Sequence, residues 1–157
     1  MAAMCSPENT SKKIGEALAY WESKRAGRRM PARADIDPGE IRSLLPHVIL
    51  LDIAHDPLDF RYRLIGPVIE EHLLNDLSGK WMSKIPHQRP PSRIWTNCRA
   101  VVETRAPLQS DTPYVGSKRD FVVSQDILMP LSDDDGDVNM LFVVVDYLRK
   151  DTLSSAP

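Results

Sequence analysis

FVVSQDILMPLSDDDGDVNMLFVVVDY, Phe121 to Tyr147, is the stretch on which the fold turns. Two apolar runs rich in β-branched and aromatic residues flank Ser132-Asp133-Asp134-Asp135-Gly136-Asp137, a polar segment whose Asp-Gly step suits a hairpin connection. In the first run Phe121, Val123, Ile127, Met129 and Leu131 share one parity, interrupted by Gln125. In the second, Leu141, Val143, Val145 and Tyr147 share one face, and Met140, Phe142 and Val144 the other. A strand apolar on both faces belongs inside a sheet covered on both sides. The hairpin is therefore expected at the centre of the domain.

Outward from it, Val48 to Ala54 (VILLDIA) reads as a second central strand, and His55-Asp56-Pro57 as a turn. Phe60 to Ile65 alternates more cleanly, with Phe60, Tyr62 and Leu64 on one side and Arg61 and Arg63 on the other. It predicts an edge-ward strand antiparallel to the first. Gly66-Pro67 opens a helix whose apolar side is Ile69, Leu73 and Leu77, ended by Ser78-Gly79. Trp81, Met82 and Ile85 make a short apolar follow-on. After the Pro-rich His87–Pro91 connection, Ser92–Thr104 is helical, with Ile94, Trp95, Cys98, Val101 and Val102 on one side. A further strand falls within Pro107–Val115.

Ahead of the first strand, residues 1–10 read as disordered. Ser11 to about Ala26 reads as a helix striped by Ile14, Leu18 and Trp21 and ended by Gly27. Residues 11–45 thus comprise this helix, a basic linker (Arg28 to Arg33) and a short helix. The last begins at Asp37-Pro38-Gly39-Glu40, runs through Leu44 and Leu45, and stops at Pro46. Residues 46–148 form the core and 149–157 a tail. Two early strands, three late ones and helices between them give an α+β fold with an antiparallel sheet.

The length of 157 residues points to one domain, able to bury about 68–70% of its unfolded surface without metal or disulfide. The net charge of −2 argues against nucleic acid or an anionic membrane as the main partner. Cys5 and Cys98 show no paired spacing, as expected of reduced cytoplasmic thiols. No apolar stretch is long enough to span a membrane, and the N-terminus carries no secretory pattern.

At Phe60–Gly79, FRYRLIGPVIEEHLLNDLSG, the chain resembles the PAS sensor domain: an aromatic-rich second strand, a Gly, an apolar helix and a "dLtG" corner, here Asp76-Leu77-Ser78-Gly79. Ile127 to Ser132 and the following strand resemble the last hairpin of that fold. The Tyr20-Trp21 helix and Arg29–Pro38 resemble a bacterial subgroup made of a single PAS domain without an attached output domain. The resemblance covers Ala19 to Leu148. It implies a five-stranded antiparallel sheet in the order 2-1-5-4-3, with a pocket between the sheet and the helices after strand two. In relatives that pocket holds haem, flavin, a small metabolite or nothing, and many relatives act by contact with signalling proteins such as kinases.

Asn97-Cys98-Arg99 is similar to the Asn-Cys-Arg-Phe motif of flavin-binding photosensors. Here Ala100 replaces the Phe, and Cys98 stands too close to the third strand for the helix that follows that motif. Haem-binding relatives place a His on the helix before the third strand, and Ser92–Thr104 has none. Both differences argue against those cofactors. His47, His55, His72 and His87 lack metal-site spacing. Aligning Gly136 with the fixed Gly of a calcium loop puts Leu131 and Phe142 at ligand positions, so the acidic turn reads as a solvated hairpin tip. No phosphate loop or nucleophile–base motif is present.

The reading is a stand-alone PAS regulator that binds a small ligand or docks onto signalling proteins, without catalysis. The alternative is a small enzyme using the same pocket. Tyr62, His72, Trp95 and Cys98 are the polar or aromatic side chains expected to approach that pocket, or else to fill a closed core. The sheet is apolar on both faces, and the helices between residues 67 and 104 cover only one. The Ile14–Leu18–Trp21 helix is therefore expected on the other, with a second subunit completing its burial as a homodimer.

Overall fold

The computed structural model describes residues 10–113 and 121–149. The sheet is antiparallel throughout, in the order β2-β1-β5-β4-β3. It is built from β1 (Val48–Ala54), β2 (Asp59–Ile65), β3 (Leu108–Pro113), β4 (Phe121–Leu131) and β5 (Met140–Arg149). The doubly apolar strands β1 and β5 are its interior, as their composition requires. The segment expected to be disordered, the distal tail and the end of the expected third strand at Tyr114–Val115 lie outside the described residues, apart from Thr10 and Arg149.

Helix α1 (Lys12–Arg25) starts where Ser11 Oγ accepts from Lys13 N and ends at Ala26 and Gly27, both at positive φ. It packs across β4 and β5, with Ile14, Ala17 and Trp21 buried. Trp21 Nε1 donates to Pro130 O at 2.9 Å. Helices α2 (Pro67–His72) and α3 (Arg93–Thr104, capped by Ser92) lie between β2 and β3 in the chain, and α3 packs on β3 and β4. Side-chain parity separates the two sides of the sheet. Gln125 and Asp146, paired across β4 and β5, bond to Ser11 before α1, whereas the adjacent Asp126 approaches Cys98 of α3.

Four expectations need correction. The helix through Leu44 and Leu45 is absent; the linker instead makes tight 3-10 turns at 33–35, 38–40 and 45–47, and Pro46 lies inside the last rather than stopping a helix. This linker runs over the outer face and buries Met30, Ile36, Ile41 and Leu44. With α1 it closes over Val48, Leu50, Phe142, Val144, Ile127, Met129 and Leu131, all buried in the single chain. The unfinished burial that motivated a homodimer therefore does not exist.

The expected helix from Pro67 to Leu77 stops at His72. Beyond it Asp76 Oδ1 accepts from Ser78 N, Gly79 turns at φ +77°, and the chain docks on the open edge of β2 through Gly79 N to Tyr62 O and Tyr62 N to Lys80 O. Satisfying an edge strand outweighs extending the helix from His72 to Leu77, and Leu74 is left 70% exposed. Gly66, between β2 and α2, has no alternative: a Cβ there would sit 2.3 Å from Pro46 O.

The acidic hairpin tip is exposed at Asp133, Asp134 and Asp137, as a solvated tip should be, but it is also docked on the linker through Asp135. Asp134 Oδ1 accepts from Ser132 Oγ, Gly136 N and Asp137 N, which organises the loop. The Asp135 carboxylate then accepts from Arg29 N and Met30 N, while Ser132 N donates to Pro31 O. The linker is thereby pinned to the hairpin. Arg28 of the linker pairs with Asp35, and Lys24 at the end of α1 with Glu40, both at 2.7 Å.

Finally, Phe121 does not share the face of Val123. A register shift between them, against β5, turns Phe121 to the side of Tyr147.

Candidate functional site

The inner side of the sheet carries Leu51 and Ile53 of β1, Phe60 and Tyr62 of β2, and Leu141, Val143, Val145 and Tyr147 of β5. Ser124, Asp126 and Leu128 come from β4 and Ser110 from β3. Helix α3 covers part of it with Trp95, Cys98, Val101 and Val102. The cover is incomplete: Ile53, Trp95, Leu108, Ser110, Ser124, Asp126 and Tyr147 are all half-buried. The partial exposure is concentrated along β3 and β4.

The four residues expected at this place divide into two groups. Tyr62, Trp95 and Cys98 cluster under α3. Tyr62 Oη donates to Gln88 Oε1 at 2.6 Å, and burial, helped by the neighbouring Cys98, pushes the phenol up well beyond its ordinary range. Trp95 meets Phe60 edge to face at 5.1 Å. Cys98 is fully buried, and burial, followed by the charge of Asp126, keeps its thiol protonated. His72, buried at the end of α2, stacks on Tyr147 at 3.8 Å and meets Phe121 edge-on at 4.8 Å. Tyr147 links the groups, since it also interacts with Tyr62.

Asp126 is the residue that the sequence reading missed. Its carboxylate lies on an otherwise apolar face, accepts from Ser110 Oγ at 2.7 Å, and is pushed up to about 6. Burial is the largest cause; the Ser110 bond and the Arg93 charge oppose it, and Asp111 adds to it. The signal was present in the sequence: Asp126 has the parity of Leu128, so an inward Leu128 implies an inward carboxylate. Gln125 drew attention by interrupting the other parity, and it does serve the other face, accepting from Ser11 N.

The remaining histidines stay apart from this site. His47 and His55 bond to Val145 O and Val138 O, and His87 is exposed. Among the described residues no group of His, Cys, Asp or Glu is arranged to hold a metal ion, and no helix is long and apolar enough to cross a membrane.

A five-stranded sheet in this order, with a partly covered inner face behind the Asp76–Gly79 corner, has the architecture expected from the resemblance. The sequence matches the PAS domain family over residues 9–145. The chain belongs to the PAS family. A PAS chain of the same fold is the sensory box sensor histidine kinase from Vibrio cholerae, solved as a crystal structure. It superposes with a TM-score of 0.50 at 13% identity, covering 85% of this chain and 97% of that one. No curated protein matches the chain. At that identity the likeness speaks for the fold alone.

Proposed function

We propose that this PAS domain is a regulatory module whose inner face receives a small ligand, and that its state is passed on by docking to signalling proteins such as kinases in the cytoplasm. The observation that carries this reading is the partly covered β3–β4 side of the inner face. Asp126 and Tyr147 are partly exposed there, with the buried groups Tyr62, Cys98 and His72 close by, while most of the opposite face is closed. A few polar groups set in apolar walls are what a small-molecule site requires. The protonated thiol of Cys98 is a poor nucleophile, which speaks against covalent flavin or acyl chemistry at that position.

An enzyme is the second reading, and Asp126 favours it: a carboxyl near 6 has the range of a general acid or base. Its hydrogen-bond partner is the Ser110 hydroxyl, and a reacting pair would need a second group poised beside it. The closed outer face removes the burial argument for a homodimer through α1, and Leu64 and Leu74 are the large apolar side chains exposed among the described residues.

Native mass spectrometry with an absorbance scan of the purified protein tests the proposal. A bound small molecule in stoichiometric amount, released on denaturation, is the expected result. A bare chain that acquires no ligand from a metabolite mixture, yet turns over a substrate, would replace the sensor with the enzyme.

A further inference from the structure

The Asp126 carboxylate is under-compensated. An ionised carboxylate offers about four acceptor positions, and here one is filled, by Ser110 Oγ at 2.7 Å. Arg93 of α3 eases the charge from a distance, but among the described residues no ion pair forms to Asp126. An apolar side chain of similar size would suit the neighbours Leu128 and Val145 better, because an unpaired buried charge is costly. Yet Asp126 keeps partial exposure, as do Ser110, Ser124 and Tyr147 around it, so the carboxylate is not sealed from a visitor. The rings of Tyr147, His72 and Phe121 stand at the same end, and Tyr147 lies diagonally across the β4–β5 ladder from Asp126 through the Ser124 pair.

We propose that the inner face recognises an organic cation, an ammonium or amidinium group on a flat apolar body, with Asp126 as its counter-ion and the aromatic rings beside it as its wall. This rests on the reading of the inner face as a ligand site. A cationic N–H donor fills the empty acceptor positions and neutralises the charge at once, and aromatic faces favour both the cation and its flat body. Binding is also proton-linked. The groups around Asp126 are Tyr62 on β2, Arg93 and Cys98 on α3, Ser110 and Asp111 on β3 and, through Tyr62, Tyr147 on β5, which stacks on His72 of α2. Tyr62 and Cys98 stay neutral near neutrality, and Asp126 loses its charge as pH falls through about 6.

The test is calorimetric titration of the full chain with benzamidinium and phenethylammonium against neutral benzamide and anionic phenylacetate. The cations are expected to bind roughly tenfold or more tightly than the neutral and anionic probes. Asp126→Asn and Asp126→Leu are expected to lose that preference, each checked by circular dichroism for an intact fold. Wild-type affinity for the cations is expected to fall below about pH 6 while that of Asp126→Asn does not. Equal binding of benzamide, cation binding unchanged in Asp126→Asn, or no cation binding at millimolar concentration would each overturn the proposal. Binding of benzamide or phenylacetate instead would leave the ligand-site reading standing. If no probe binds and the protein purifies bare, both readings fall.

Discussion

The two faces of one sheet have opposite characters. The outer face is dry and closed: Ile127, Met129, Leu131, Phe142 and Val144 lie beneath α1 and the linker, and each large apolar side chain so buried contributes about 1.5–3 kcal/mol. Its polar contacts are few and satisfied, as at Ser11, Gln125 and Asp146. The inner face is buried over Leu51, Phe60, Tyr62, Leu128, Leu141 and Val143 but only partly covered along β3 and β4, and it holds a carboxylate and a phenol displaced from their ordinary pKa values. The same chain closes most of one face and leaves the β3–β4 side of the other partly exposed, with a carboxylate in it.

The largest expected effect tests the sealing. Trp21→Ala removes a ring 2% exposed and its bond to Pro130 O, and should cost about 3–5 kcal/mol in denaturant unfolding. Trp95→Ala, on the partly covered face, should cost less, about 2–3 kcal/mol, because its ring is already partly exposed. Equal losses would erase the contrast between the faces.

Asp126→Leu sharpens it from the other side. At about pH 7.5 the variant should be more stable than the parent by on the order of 1–3 kcal/mol, since it removes an under-compensated charge. The folded state holds the Asp126 proton more tightly than the unfolded state does. The parent's corresponding stability is therefore full below the ordinary value of 3.8 and lost as pH rises through about 6. The advantage of Asp126→Leu should accordingly shrink toward pH 4 in thermal melts across that range.

Smaller changes follow. Ser11→Ala loses both the α1 cap and the bond to Asp146, about 1 kcal/mol, and should fray the start of α1 in amide exchange. Tyr62→Phe loses the bond to Gln88, about 0.5–1.5 kcal/mol.

Much of this fold was legible in the sequence because strand periodicity and capping are local. The bounds of β1, the two-sided apolarity of β5 and the extent of α1 and α3 to within a residue or two needed only their own neighbours. What escaped depended on distant partners. The shortened α2 follows from β2 seeking an edge partner at Gly79–Lys80. The closed outer face follows from Asp135 pinning the linker, in a loop that by itself looks like a solvated tip. The orientation of Phe121 follows from a bulge that leaves no mark on alternation. In the candidate site Tyr62, Cys98, Trp95 and His72 were chosen for chemistry and position. Asp126 was visible by parity alone, yet a charge inside an apolar strand carries meaning only once its face is known to be covered.

Hydroxyl-radical footprinting read by mass spectrometry measures the difference between the faces most directly. The central claim predicts rapid labelling at Trp95 and Tyr147 and labelling near background at Trp21, Met30 and Met129, although methionine is intrinsically the more readily oxidised side chain. Labelling of Trp21 and Met30 as fast as Trp95, or protection of Trp95 and Tyr147 to the level of Met129 in the ligand-free chain, would contradict it.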